Sequence, residues 1–125
     1  MSDQIDPQVL EFAAKVFDLA RGGDAATLAG YLDGGVPADL TNEAGDSLLM
    51  LAAYHGNVAA VRALLAHGAD ANRVNDRGQT PLAGAVFKGE REIVAALLAA
   101  GADPDAGAPS ARAAAEMFGK TDLLG

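Results

Sequence analysis

The sequence predicts an all-α fold in which pairs of short helices stack into a solenoid. Three observations predict it: a repeat of the pattern every 33 residues, apolar positions at helical spacing within each unit, and a composition dominated by small side chains. Gly45 and Gly56 fall on Gly78 and Gly89 at this offset. Half of the 125 residues are hydrophobic, yet 5% are aromatic, and Trp and Cys are absent. Units of this length stack on their neighbours to form one continuous core.

The first predicted element is a helix from Asp6-Pro7 to about Arg21. Asp is a good N-cap, and Pro is tolerated in the first helical turn. This helix is longer than the first helix of a repeat, so we expect it to shield the exposed end of the stack. Its predicted core-facing positions are Val9, Phe12, Val16, Leu19 and Ala20.

The clearest unit contains two short helices with recognisable start and stop signals. Thr80 is placed to cap the first helix, Pro81 takes its first position, and Gly89 ends it. Glu92 suits the positive N-terminal end of the second helix. Gly101 is placed to adopt the left-handed conformation that ends this helix.

This unit resembles the ankyrin repeat. The resemblance is carried by Gly78-Gln79-Thr80-Pro81-Leu82, Ala85, Gly89, Ile93-Val94, Leu97-Leu98 and Gly101-Ala102-Asp103, with Gly45 to Asp76 as a second copy. It implies L-shaped units of antiparallel helices with short hairpin-like fingers, so the chain is an all-α solenoid with two clear repeats between divergent capping repeats. Within one domain, 1–125, the predicted parts are an N-terminal capping repeat 1–44, repeats 45–77 and 78–107, and a truncated C-terminal cap 108–125.

Two departures from the repeat pattern are informative. Met50 and Ala83 stand where ankyrin repeats usually have His, so the hydrogen bond that braces many repeats is missing and stability depends more on packing. Ser110 aligns with Thr80 at an offset of 30 rather than 33. Three residues are therefore missing from the last finger, which we expect to be short, and Thr121 to Gly125 begins a last helix.

The residues give no support for catalysis, a cofactor or a metal site. No serine lies in a Gly-x-Ser-x-Gly turn, and no phosphate-binding glycine loop is present. His55 and His67 belong to different predicted helices, and a structural role explains them better than metal binding. The sequence therefore predicts a protein that is not an enzyme.

Charge and hydrophobicity narrow the classes of partner. The formal net charge is −8, which argues against nucleic acid and against an anionic membrane surface. The longest nearly unbroken apolar stretch, Ile93 to Ala102, is about half of the ~20 residues that a membrane-spanning helix needs. Residues 1–7 are acidic and lack the features of a signal peptide. We expect a cytoplasmic protein, most simply a monomer, although exposed aromatic residues could also pair two copies.

The resemblance implies where a protein partner would bind, because ankyrin stacks usually meet partners on a concave side formed by first helices and finger tips. The candidate partner-binding residues are Arg21, Glu43, Asp46, Tyr54, His55, Arg77, Gln79, Phe87, Lys88 and Met117. Among these, Arg21, Tyr54, Phe87 and Met117 occupy equivalent positions, and we expect them to form a row along the groove. Aromatic residues and Arg are enriched in interface hot spots. The alternative is that these side chains only pack against neighbouring helices or fingers.

Acidic residues are concentrated near the N-terminus, with eight acidic and two basic side chains in residues 1–45. Cations collect around the third unit, and we expect them to face Glu43 and Asp46 one repeat away. These cations are Arg73, Arg77, Lys88 and Arg91. The expected partner therefore carries charges of both signs around an apolar centre.

Three functions remain open at this point. The first is a protein-interaction module that inhibits, stabilises or tethers a partner. The second is an accessory factor for an enzyme such as a catalase, because small bacterial ankyrin proteins are sometimes linked to peroxide defence. The third is an engineered repeat scaffold, which the irregular caps and the shortened last finger argue against.

Overall fold

The computed structural model describes residues 6–125, so the predictions about the first five residues lie outside it. Within this range the chain forms seven α-helices and one 3-10 helix, with two isolated β-bridges and no strand. The α-helices are α1 (Pro7–Gly22), α2 (Ala25–Asp33), α3 (Leu48–Tyr54), α4 (Val58–Ala66), α5 (Pro81–Lys88), α6 (Arg91–Ala99) and α7 (Ala111–Met117), and the 3-10 helix spans Thr121–Leu124. The predicted all-α class is confirmed.

The helices stack in two layers. Helices α1, α3, α5 and α7 contact one another in order and form the first layer. Helices α2, α4, α6 and the 3-10 helix follow in the second layer, each packed behind its own first helix. Buried Leu, Ala and Val fill the space between the layers, with Leu28, Leu49, Leu64, Leu82 and Leu97 fully enclosed. This is the predicted solenoid, and its core uses small side chains because neighbouring helices lie close together.

Hydroxyl caps start the three short first-layer helices. Ser47, Thr80 and Ser110 each accept a hydrogen bond from the backbone N–H three residues later, at 3.0, 3.1 and 3.1 Å. Each cap satisfies one of the N–H groups that a helix start leaves without a partner. Pro81 occupies the first turn of α5 and Gly89 ends that helix, both as predicted, and Gly89 adopts the left-handed conformation.

The fingers that precede α3, α5 and α7 are joined to one another by backbone hydrogen bonds. The Asp76 N–H donates to Ala44 O at 3.0 Å, and the Ala108 N–H donates to Gly78 O at 2.9 Å. Gly45 has a φ of 76°, and a Cβ there would collide with the Asp76 carboxylate of the next finger. Only glycine permits both this conformation and this close approach.

The last finger is shorter than the first, as the sequence predicts. Thr41 bridges to Ser47 across the first finger, whereas Gly107 bridges to Ser110 across the last. Beyond α7 the chain forms the 3-10 helix, and its Asp122 carboxylate accepts a hydrogen bond from Arg91 Nη2 at 2.8 Å. This ion pair ties the C-terminal cap to α6.

Helix α1 begins as predicted, with the Asp6 side chain accepting a hydrogen bond from the Gln8 N–H at 2.8 Å. Its first half, however, does not face the core. Val9 is 55% exposed and Phe12 is 40% exposed, so the prediction for these two positions was wrong. Val16, in the second half of α1, is buried in the core, whereas the Phe12 ring packs edge-on against Tyr31 of α2 and stays partly exposed.

Candidate functional site

Two predicted site residues, Tyr54 and Phe87, lie side by side at the C-terminal ends of α3 and α5. Their ring planes are 5° from parallel, and their centroids are 6.5 Å apart. Such offset stacking is a favourable arrangement of two aromatic rings. Tyr54 nevertheless remains 40% exposed and Phe87 remains 47% exposed. The two rings therefore pack on each other and still present a surface to solvent.

The third ring of this series belongs to Phe118 and not to Met117. The Phe118 ring lies edge-on to Phe87 with the centroids 5.3 Å apart, whereas Met117 is 71% exposed. Met117 is equivalent to Phe87 by the repeat offset, but the following position leans back over the preceding repeat. Lys88 does the same one repeat earlier, with its Nζ 5.0 Å from the centre of the Tyr54 ring. The predicted row is corrected accordingly.

These rings are the walls of an apolar cleft of about 280 Å³ on the finger side of the first layer. The aromatic cleft has Tyr54, Phe87 and Phe118 as its walls, Met50, Ala83, Gly84 and Ala114 as its floor, and Gln79 and Pro109 from the fingers as its edge. Three successive first-layer helices, α3, α5 and α7, thus contribute to one cleft. None of its lining residues is charged.

A family model for ankyrin repeats, described as three copies of the repeat, matches residues 12–108. The chain belongs to the ankyrin repeat family. A Pseudomonas aeruginosa protein named as an ankyrin repeat protein is 48% identical to it over 54 residues. That match covers 43% of this chain and 32% of the relative, so the matched part spans about a third of the relative's length.

Ankyrin repeats generally mediate protein–protein interaction, and the family is typically not enzymatic. Residues 6–125 contain no group of three or more His, Asp or Glu side chains arranged to hold a metal ion. Among the helices of the same range, none has the length and apolar character required to cross a membrane.

Gly84 in the middle of the α5 ankyrin helix opens the floor of the aromatic cleft. The equivalent positions of the neighbouring repeats carry Leu51 and Ala114, both buried. A Cβ at Gly84 would lie 3.5 Å from the Tyr54 ring, which is an ordinary van der Waals distance. Alanine would therefore fit, and glycine in a helix interior is less stable than alanine by about 1 kcal/mol. The fold does not require this glycine, but the depth of the cleft does.

Hydrogen bonds fix the orientation of Gln79 at the edge of the cleft. The Oδ1 atom of Asn75 accepts from the N–H groups of Arg77 and Gln79 at 2.9 and 3.0 Å. Its Nδ2 must then be the donor, and it donates to Asp46 Oδ1 at 2.8 Å and to Gln79 Oε1 at 2.9 Å. Within the described residues, this network uses the Gln79 oxygen and leaves its Nε2 group without a hydrogen-bond partner. Asp46 therefore acts through the finger, and its carboxylate is bound to Asn75.

Of the other predicted site residues, His55 lies beside the aromatic cleft, whereas Arg21 and Glu43 lie in a different groove. His55 donates from Nδ1 to Leu51 O at 2.9 Å, and its ring is edge-on to Tyr54. Arg21 lies on α1 outside the cleft and pairs with Asp18 at 2.9 Å. Together with Glu43, it lines a wider groove between α1 and the first finger. The structure therefore brings together only part of the predicted set.

The expected facing of cations toward Glu43 and Asp46 is not found in residues 6–125. Arg91 instead pairs with Asp122, and Lys88 lies over the Tyr54 ring. Asp46 is held by the Asn75 amide as described above. Arg91 and Lys88 therefore contact groups other than Glu43 and Asp46.

His67 is held between α4 and α2, away from the cleft. Its Nε2 lies 2.7 Å from Asp33 Oδ1, and its Nδ1 lies 2.8 Å from Ala63 O. The hydrogen bond with Asp33, and then that with Ala63, raise the pKa of His67 above 6.5. Both contacts are acceptors, so only the imidazolium form can donate to both at once. This supports the structural role predicted for His67.

Sequence reasoning missed Gly84, Phe118 and Asn75. A signal for Gly84 was present, because the equivalent positions read Leu, Gly and Ala along the repeats and glycine disfavours a helix interior. A signal for Phe118 was weaker, since the repeat offset points to its neighbour. A signal for Asn75 was present, because Asn42 is the equivalent residue one repeat earlier, and its Oδ1 accepts from the N–H groups of Ala44 and Asp46 at 3.0 Å.

Proposed function

We propose that this chain is a non-enzymatic interaction module that binds a protein partner through the concave side of its ankyrin stack, with the aromatic cleft at the centre of the contact. The observation that carries the proposal is the half-exposed Tyr54 and Phe87 pair beside an apolar cleft. Aromatic anchors in a pocket surrounded by polar residues are characteristic of interface hot spots. The finger tips that carry Arg77 and Gln79 form the polar surroundings.

Photo-crosslinking in the cell of origin tests this proposal. A photoreactive phenylalanine analogue replaces Phe87 in one variant and Phe12 in the other. Both positions are phenylalanines of similar exposure, but Phe12 lies at the opposite end of the molecule against Tyr31, with ring centroids 5.0 Å apart. We expect a discrete crosslinked protein from position 87 and none of the same mass from position 12. The same product from both positions would refute the cleft as the binding centre.

A double substitution provides the quantitative test. Tyr54→Ala with Phe87→Ala removes both anchors, and truncation of hot-spot residues weakens binding by about 2 kcal/mol or more each. We expect at least a tenfold loss of the captured partner with the helical circular dichroism retained. Capture at the wild-type level would eliminate the proposed face.

The identity of the crosslinked protein decides the finer role. An enzyme, such as a catalase, would support the accessory-factor interpretation, and a protein without catalytic activity would support a tethering role. The cytoplasmic fraction is the first material to test, because the cytoplasm is the predicted location. Sedimentation of the purified protein tests the predicted monomer and reveals whether a second copy occupies the cleft.

A further inference from the structure

We propose that the aromatic cleft receives one large apolar side chain of the partner, and that an acidic group beside that side chain contacts Lys88 and Gln79. This inference rests on the proposed function and specifies the chemistry of the segment that binds. It follows from three properties of the cleft: its size, its glycine floor and the kind of polar groups at its edge.

The size of the cleft fits a single anchoring side chain. Its volume of about 280 Å³ is at the lower end of the range for binding pockets, and its lining is mostly apolar. Tyr54, Phe87 and Phe118 present ring surfaces, and the floor lies on helices that cannot move apart without breaking the core. An aromatic or long aliphatic side chain would bury its apolar surface there.

Gly84 in the floor of the cleft indicates that the depth of the cleft serves binding. Leu at the equivalent position one repeat earlier is buried, and Ala at the equivalent position one repeat later is also buried. Gly84 therefore marks the one place along α3, α5 and α7 where this position carries no side chain. Since alanine would fit without a clash and would favour the helix, the glycine is explained by the space that it leaves.

Two donor groups lie beside the cleft, the Lys88 ammonium and the Gln79 amide nitrogen. Lys88 Nζ lies over the Tyr54 wall, and the Gln79 Nε2 group is left by its own network without an acceptor among the described residues. No carboxylate lines the cleft, and the Tyr54 hydroxyl can donate or accept. A segment that places a carboxylate next to its anchor would satisfy these donors, whereas a basic neighbour would be repelled by Lys88.

The experiment uses three capped peptides of equal length that differ only beside a central tryptophan: Asp-Trp-Asp, Asn-Trp-Asn and Lys-Trp-Lys. Because the protein contains no Trp, the peptide provides the only indole fluorescence. Titrations of the full-length protein give the dissociation constants. We expect the acidic peptide to bind about two- to fivefold more tightly than the neutral one, the range for an exposed charge pair, and the basic peptide to bind most weakly.

Two glycine variants form a matched pair. Gly84→Ala and Gly30→Ala each replace a glycine inside a helix, but nothing lies within 4 Å of a Cβ at Gly30. Both variants should raise the melting temperature, and only Gly84→Ala should weaken the binding of the acidic peptide. Gly84→Leu should abolish its binding. Lys88→Gln should remove the preference for the acidic peptide over the neutral one.

Each outcome decides a specific step. Equal affinity for the three peptides would refute the proposed acidic group beside the anchor. Binding of the acidic peptide to Gly84→Leu at the wild-type affinity would refute the cleft as the binding site. If position 87 crosslinks a partner in cells while no peptide binds, this inference fails and the proposed function stands. If the peptides bind as expected while no partner crosslinks at position 87, the proposed function fails as stated.

Discussion

The N-terminal junction joins the first and second units of the stack, and the central junction joins the second and third. At one repeat position the two junctions carry residues with opposite hydrogen-bonding roles. Asn57 in the second unit directs its Nδ2 at the end of α1, with Leu19 O, Ala20 O and Gly23 O at 3.2, 3.3 and 3.4 Å. Glu90 is the equivalent residue one repeat later, and its carboxylate lies against Gly56 at the end of α3. Helix ends expose carbonyl groups that need donors, which an amide supplies and a carboxylate does not.

The same two residues also differ as caps of the helices that follow them. Asn57 Oδ1 accepts a hydrogen bond from the Ala60 N–H at 3.3 Å, whereas Glu90 makes no side-chain cap for α6. The central junction nevertheless closes with Ile93, Val94 and Leu97 fully buried. Apolar packing thus suffices to form a junction. We call the hydrogen bonds of Asn57 to the end of α1 and to the start of α4 the polar clamp, and we expect it to add stability to the N-terminal junction.

The largest expected effect comes from breaking the clamp at the N-terminal junction. Asn57→Ala removes the cap of α4 and the donor to α1, and we expect the free energy of unfolding to fall by about 2 kcal/mol. Asn57→Asp keeps the cap oxygen and should lose about half as much. Urea denaturation measures both. A loss for Asn57→Ala within the ±0.5 kcal/mol that is typical of surface substitutions would contradict the clamp.

Transplanting the clamp into the central junction should give the next largest effect. Glu90→Asn supplies a cap to α6 and a donor to the end of α3, and we expect the free energy of unfolding to rise by about 1 kcal/mol. Glu90→Gln removes the charge but provides a poor cap, so its gain should be smaller. The comparison would be wrong if Glu90→Asn destabilised the protein in the same denaturation assay.

The C-terminal junction should respond more weakly. Lys120, at the same position in the cap, donates from Nζ to Phe87 O at 3.0 Å. Lys120→Met should lower the free energy of unfolding by roughly 0.5–1 kcal/mol through loss of this contact at a helix C-terminus. Lys15→Met removes an equal charge from the exposed face of α1 and is the matched control. Equal losses in the two variants would assign the effect to net charge alone.

The smallest effect concerns pH and again involves the N-terminal junction. Because the pKa of His67 is raised in the folded state, its stabilising contribution is fully present below the unfolded pKa near 6.5 and is lost as the pH rises through the folded pKa. The free energy of unfolding should therefore decline as the pH rises above about 6.5. Asp33→Asn should flatten this decline. If the free energy of unfolding of Asp33→Asn declined with pH as steeply as that of the wild type, Asp33 would not be the cause of the decline.

The fold was predictable because glycines, helix caps and apolar positions occur twice at the same offset. Each of these features determines the local structure for a physical reason of its own. The helical pattern correctly placed Val16 and Ala20 in the core. It failed for Val9 and Phe12, since periodicity describes one face of a helix and does not reveal whether anything lies over that face.

The candidate site was predictable only in its centre. Tyr54 and Phe87 are equivalent residues, so their proximity follows from stacking alone. Met117 and Phe118 differ by one position, which is about 100° around a helix, and that rotation decides which side chain reaches the preceding repeat. Asp46 and Gln79 were named for their place on the fingers, but their roles depend on Asn75, whose contact with Asp46 forms only when the two fingers stack.

The aromatic cleft takes its walls from three consecutive units, and this has a consequence for how the stack unfolds. Repeat proteins lose structure unit by unit from their ends when the coupling between neighbours is weak. A side chain held by α3, α5 and α7 at once would be released when either the central or the C-terminal junction opened. Occupancy of the cleft would therefore strengthen both couplings together and make the last units unfold as a single cooperative block.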